Sequence, residues 1–262
     1  MAILFDDASS QYLVPNPTVA VVSAYPFSMG CWFRSNDATV NQHLLTVFQL
    51  LADNQNFWSL AARGAVAGDP VRFACTAAGS NNVADTTTGF TAGVWHHALA
   101  VGTSATSRTV YIDGGSSATA TTNLTPGSLT QTAIGGMPDT GPDNYASADI
   151  GEAAFWSLAL TAADAASLFT GASPLLVRPE GLVAYWPLLG NNVGAAGEPD
   201  LIGGAQMNWT NGPVKSDHPR IFYPCRRHSG KQAAAVAAGG PGRIITGGLL
   251  QGGQLLGGRL VA

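Results

Sequence analysis

Short runs of β-branched and aromatic residues recur along most of this chain, each closed by glycine, proline, asparagine or aspartate, and that punctuation fixes what it can fold into. AILF (2–5) and QYLV (11–14) flank the turn DDASS. PFSMGCWFRS (26–35) places Phe27, Met29, Cys31 and Phe33 at alternate positions, so all four share one face of a strand. HLLTVFQLLAD (43–53), NFWSLAAR (56–63), VRFACTA (71–77), VWHHALAVG (94–102) and RTVYIDG (108–114) follow. QTAIGG (131–136), ADIGEAAFW (148–156) and GLVAYWPL (181–188) complete the set. Asp113-Gly114-Gly115 is a hairpin turn signal, since glycine tolerates the positive φ that a tight turn needs. One helix is expected, capped by Thr161, with Asp164 at its third position and Ala165, Leu168 and Phe169 on its apolar face. Gly171 closes it and Pro174 follows. The fold class is all-β: an antiparallel two-sheet jelly-roll sandwich with one short helix as a lid and an extended C-terminal tail.

Charge is distributed unevenly. Residues 1–213 carry five arginines against fifteen acids, a balance of −10, whereas residues 214–262 carry seven cations against Asp217 alone, a balance of +6. A mildly acidic body with a basic tail is suited to docking onto an acidic surface. The tail has no aromatic residue after Tyr223, so base stacking has nothing to work with and nucleic acid is not the expected partner. Only 11% of residues are charged, so the surface has to be built from Ser, Thr, Asn, Gly and Ala. Cys31, Cys75 and Cys225 form no paired-cysteine motif, which excludes a disulfide scaffold and a zinc site. No stretch is apolar enough to span a bilayer, and the N-terminus lacks the basic and apolar regions of a secretory signal.

From residue 229 the composition changes. Residues 1–228 read as one domain, 229–242 as a small-residue linker, and 243–262 as a Gly/Leu-rich tail in which GGLLQ, GGQLL and GGRLV repeat every five residues. A five-residue period matches neither the helix nor the strand repeat. Such a segment cannot bury enough alone to offset its ordering entropy. It is therefore expected to order against a partner, with Leu249, Leu250, Leu255, Leu256, Arg259 and Leu260 as the anchors.

Several stretches, in order along residues 1–225, resemble the laminin-G-like, concanavalin-A-like jelly-roll family. FDDASSQYLVPNP is similar to its first hairpin, and PFSMGCWFRS to its Trp-containing strand. GVWHHALAVGTSATSRTVYIDG (93–114) matches its Trp-His-His strand, turn and Tyr-x-Asp-Gly strand end. DIGEAAFWSLALTAADAASLF (149–169), LVAYWPLLGNN and PDLIGG (199–204) continue the likeness. Trp32, Trp58, Trp95, Trp156 and Trp186 are expected to supply the largest buried areas. His96 and His97, adjacent on a strand, should point to opposite faces, one packed and one at the surface. The resemblance also implies an occasional calcium site. Here the usual Asp-Glu pair is Gly151-Glu152, leaving Asp6, Asp7, Asp139 and Asp143 as loose candidates, each better read as a turn former.

Glycoside hydrolysis needs two carboxylates on one face. Asp149 and Glu152, three apart on a strand, should face opposite ways, so no catalytic pair and no enzyme is expected. No cofactor and no metal ligand set is expected either. The family occurs on virion surfaces, and a tethered sandwich without a signal peptide is expected to be a bacteriophage decoration, cement or fibre-associated protein. It would be made in the host cytoplasm, carried on the virion and bound to capsid or other virion proteins as a homo-oligomer. The alternative is a lectin module for host glycans, with Trp58, Tyr145 and Trp209 as the sugar-binding aromatics.

Overall fold

The computed structural model describes residues 2–50, 54–139, 144–190 and 197–224, and the backbone pairing of 250–251 with 254–255. The chain divides into two compact units, Met1–Pro224 and Cys225–Ala262. In the first, one sheet contains β1 (Ala2–Phe5), β3 (Phe27–Ser35), β8 (His96–Ser104), β9 (Ser107–Ile112), β10 (Gly115–Ala120), β12 (Ala148–Trp156), β13 (Leu182–Trp186) and β15 (Val214–Ser216). Its order is β10-β9-β8-β3-β12-β1-β15, with β13 pairing the second half of β12. The other contains β2 (Tyr12–Pro15), β4 (Asn41–Phe48), β5 (Phe57–Arg63), β6 (Pro70–Ala77), β7 (Ser80–Gly89), β11 (Gln131–Ile134) and β14 (Met207–Thr210), in the order β14-β2-β11-β4-β5-β6-β7. All these strand pairings are antiparallel, so the unit is the expected two-sheet sandwich.

The alternation in the sequence does what the pleat requires. Phe27, Met29, Cys31 and Phe33 all point between the sheets, where they meet Trp58, Leu60, Phe73, Phe155 and Trp186. The three fully buried indoles each find an acceptor: Trp156 Nε1 donates to the Val177 carbonyl at 2.9 Å, Trp186 Nε1 to the Ala205 carbonyl at 2.8 Å, and Trp58 Nε1 to the Tyr25 hydroxyl at 3.3 Å. Trp95 differs from the other four expected core tryptophans, being only half-buried beneath the Arg34 guanidinium at 5.2 Å.

The helix is α1 (Ala162–Phe169), and its cap is reciprocal. Thr161 Oγ1 accepts from the Asp164 N–H at 3.2 Å, and Asp164 Oδ2 accepts from the Thr161 N–H at 2.8 Å. Ala165 and Leu168 pack with Leu99, Val101, Trp156 and Tyr185, closing the outer face of the eight-stranded sheet. Phe169 stacks on Trp32 but stays 39% exposed. Asp113 and Gly114 form the expected two-residue turn between β9 and β10, both at positive φ. Gly114 has a second reason to be glycine: a Cβ there would lie 2.8 Å from the Ala166 Cα of the lid helix.

Three expectations are corrected. β1 and β2 do not form a hairpin; they belong to different sheets, β1 pairing β12 and β2 pairing β11 and β14. Neither histidine of the pair is at the surface. His96 Nε2 accepts from the Thr91 N–H and its Nδ1 contacts Asp113 Oδ2 at 2.7 Å, while His97 is covered on the other face, with Trp32 edge-on at 5.5 Å. Asp149 and Glu152 are also not separated by a simple three-residue count. Four residues of β12 (151 to 154) oppose three of β3 (32 to 30), a bulge at which Glu152 takes φ +54.

In the second unit β16 (Leu250–Gln251) pairs antiparallel with β17 (Gln254–Leu255), Leu250 opposite Leu255. Gly252-Gly253 lies between them in sequence. Leu249, Leu256, Arg259 and Leu260 lie outside the described residues, as do the side chains of Leu250 and Leu255.

Candidate functional site

The carboxylates come first, because they decide what chemistry is on offer. Glu152 is buried, and its oxygens accept from Tyr185 Oη at 2.6 Å and Tyr223 Oη at 2.7 Å, with His218 Nε2 at 3.1 Å. His218 Nδ1 is 2.6 Å from the Pro219 carbonyl oxygen, which can only accept, so Nδ1 carries a proton. Burial and the neighbouring Glu152 push both tyrosine hydroxyls well above the ordinary phenol range, which keeps them as donors. Asp149 is held by Arg34 Nε at 2.7 Å. Glu198 and Asp200, two apart, are also spent on the fold. Glu198 is buried and accepts from the Gly190 N–H, and burial raises its carboxyl. Asp200 accepts from the backbone of Tyr185, Ile202, Gly203 and Ala205. These carboxylates organise strands and loops rather than facing an open cleft. Among the described residues no group of three or more His, Cys, Asp or Glu side chains could hold a metal ion. Asp6 closes its own turn, accepting from the Ala8 N–H and Ser9 Oγ, and Asp143 lies outside the described residues.

The open feature is a groove of about 350 Å³ on the outer face of the seven-stranded sheet, within the size range of small-ligand sites. β5 builds it by alternation. Trp58, Leu60 and Ala62 point into the core, so Phe57, Ser59, Ala61 and Arg63 point outward. β6 matches it with Arg72, Ala74 and Thr76, and β7 contributes Asn81 and Val83. Phe57, Ala74 and Met137 pack together as part of an apolar floor. His43 is buried with Nδ1 2.6 Å from Ser59 Oγ, and burial, reinforced by Arg63, holds its pKa down at about 4.

Polar atoms around this floor lack partners. Asn54 Oδ1, Arg63 Nε and Thr76 Oγ1 line the groove, and Asn41 Oδ1 lies on the residue paired with Arg63; all four are buried, with no hydrogen bond among the described residues. Buried polar atoms are nearly always satisfied, so three orphans on residues that line one groove, with a fourth beside Arg63, mark where a polar guest completes the set.

The three aromatics expected at a sugar site separate. Trp58 is fully buried and is corrected from surface platform to core; its neighbour Phe57 is the ring on the groove side. Trp209 packs half-buried against the intersheet core opposite Leu13, its Nε1 buried without a partner, and does not line the groove. Tyr145 is half-buried, stacked on Tyr12 at 5.8 Å, and follows the lining residue Asn144. That stack needs Gly136, where a Cβ would lie 2.6 Å from the Tyr145 ring. Arg63 and Arg72, missed in the sequence, carried a signal: they are two of only five arginines in residues 1–213, both on one sheet face.

Comparison with known proteins agrees with this architecture. The family model described as "Concanavalin A-like lectin/glucanases superfamily" matches residues 6–166. No curated protein shows a sequence match to the chain. Among solved structures, a Bacteroides ovatus protein described as a candidate carbohydrate-binding protein superposes with TM-score 0.61 at 17% identity, covering 84% of this chain and 61% of its own. A heptameric SAP-like pentraxin from Limulus polyphemus gives 0.56 at 16% identity, covering 81% of this chain and 93% of its own. At these identities the likeness is one of fold.

Proposed function

This chain belongs to the concanavalin A-like lectin/glucanases superfamily, and from that premise we propose that it is a non-catalytic carbohydrate-binding protein that receives its glycan in the groove over β4 to β7. The observation that carries the reading is the set of orphaned polar atoms around an apolar floor. A sugar presents hydroxyls that pair with Asn54 and Thr76, and C–H faces that pack on Phe57, Ala74 and Val83. Carboxylates consumed by the fold argue against hydrolysis, and the similarity to a candidate carbohydrate-binding protein supports binding.

The test is Thr76→Val. Removing an orphaned buried hydroxyl is expected to leave the protein as stable or to raise ΔG by about 1 kcal/mol. Affinity for a glycan ligand found by array screening should fall roughly tenfold, the loss of about one good hydrogen bond. Unchanged glycan affinity in calorimetry would remove Thr76 from the site, and absence of any glycan ligand would remove the reading.

Carriage on a virus particle through residues 243–262, with a capsid protein as partner, is a separate proposal resting on the composition of the tail and the facing of Leu250 and Leu255. Deleting 229–262 should leave glycan affinity within twofold and abolish co-sedimentation with particles; unaltered co-sedimentation would end that reading.

A further inference from the structure

We propose, resting on the carbohydrate reading above, that the groove selects an acidic glycan and seats its sugar carboxylate on Arg63, beside Asn41 at one end of β5. The charges facing the groove do not cancel. Arg72 is matched: its Nε and one terminal nitrogen reach the two Asp85 oxygens, both at 2.6 Å, the fork-to-fork geometry of a complete pair. Arg63 has no such partner. No carboxylate lies within ion-pair distance of it among the described residues, and its Nε is buried without an acceptor. Burial and the nearby Arg72 cation both press its guanidinium toward losing charge, with Asp85 opposing; a bound anion would relieve both. His43, held neutral in the same groove, supplies no competing positive charge above about pH 4.

The strand register places this cation at one pole of the site. Arg63 pairs with Asn41 at the start of β4, whereas Phe57 pairs with Thr76 at the far end of β5. Six residues at about 3.3 Å each separate the two poles by roughly 20 Å. The anion-binding pole and the neutral pole, with Thr76 and Asn54, are therefore distinct, and a short oligosaccharide can touch both. A planar guanidinium favours a planar two-oxygen acceptor, so the geometry points to a carboxylated sugar rather than a sulfated one.

The experiment is calorimetric titration of the full chain with trigalacturonic acid and sialyllactose, each beside its uncharged counterpart, the trimethyl ester and lactose. At least one acid is expected to bind tenfold or more tightly than its counterpart, with the preference shrinking as salt is raised. Arg63→Gln should abolish the preference, and Arg63→Lys should restore only part of it. A thermal melt of each variant matching wild type certifies folding; should Arg63→Gln melt early, Arg63→Lys with undiminished preference overturns the proposal. Equal affinity for acid and ester, with Thr76→Val still weakening both, overturns the acidic selection and leaves the carbohydrate reading standing. A sulfated oligosaccharide binding as tightly as the uronate also overturns it. No binding by any of the sugars removes both readings together.

Discussion

Between pH 7 and pH 4 the fold is expected to lose about 3 kcal/mol for each of two histidines, independent of any ligand. His43 and His97 are fully enclosed, and burial pushes both from 6.5 down to about 4, opposed at His97 by Asp113. The sign follows from where the proton binds first. As pH falls through 6.5 the unfolded chain takes up a proton at each imidazole, while the folded chain refuses it until about pH 4. The stabilisation is therefore whole above 6.5, declines through that window and is exhausted near 4. Two such groups together, about 6 kcal/mol, approach the entire stability of an ordinary domain. Urea unfolding at pH 7, 5.5 and 4 measures this. His97→Gln should flatten the slope by about half, which separates the histidine contribution from carboxylates that titrate lower. A wild-type stability that stays level from pH 7 to pH 5 would contradict the assignment.

Glu152→Ala is the substitution expected to cost most, about 3–5 kcal/mol, because it leaves buried donors facing a void. Tyr185 is fully enclosed and cannot turn to water; Tyr223 is 44% exposed and can, so most of the loss belongs to Tyr185. Residues 218–223 are pinned to β12 by this carboxylate, and their amide exchange should accelerate well beyond the global change. Glu152→Gln should cost much less. Its amide oxygen can accept from Tyr185 at the Oε2 position, while its NH2 at the Oε1 position donates to His218 Nε2 and to the Tyr223 oxygen. Equal destabilisation by the two substitutions would mean that charge, rather than hydrogen-bond count, holds the cluster.

The strands that were legible in sequence are those with a period-two apolar pattern and one buried face, such as β3, where every second side chain is in the core. β7 was not legible. SNNVADTTTG is polar on both faces because it is an edge strand, needing apolar contacts only at Val83 and Ala84. The separation of β1 from β2 was hidden because a short turn between two apolar runs does not say which sheet each joins. The bulge at Glu152 carried no local mark, being created by the pairing with β3 and occupied by a residue that rarely takes positive φ. The site failed for a related reason. The parity of β5, readable from Leu60 and Ala62, commits Trp58 to the inside and Phe57 to the outside, so ring type alone does not find the groove. What no single-strand pattern could supply is the neighbourhood of Arg63, since its loneliness is a property of three strands at once.

The sandwich treats its two outer surfaces unequally, and this has a practical consequence. One is roofed by α1 and by residues 218–223, with Phe222 bridging to Ala172 beside the lid; the other, bearing the groove, has no such roof among the described residues. The body thus reaches Pro224 on its roofed side. A biosensor chip, bead or fluorophore coupled there grips the molecule from behind and leaves the receptor surface turned toward the sample. Coupling through the Ser80–Gly89 edge would instead crowd the mouth of the cleft.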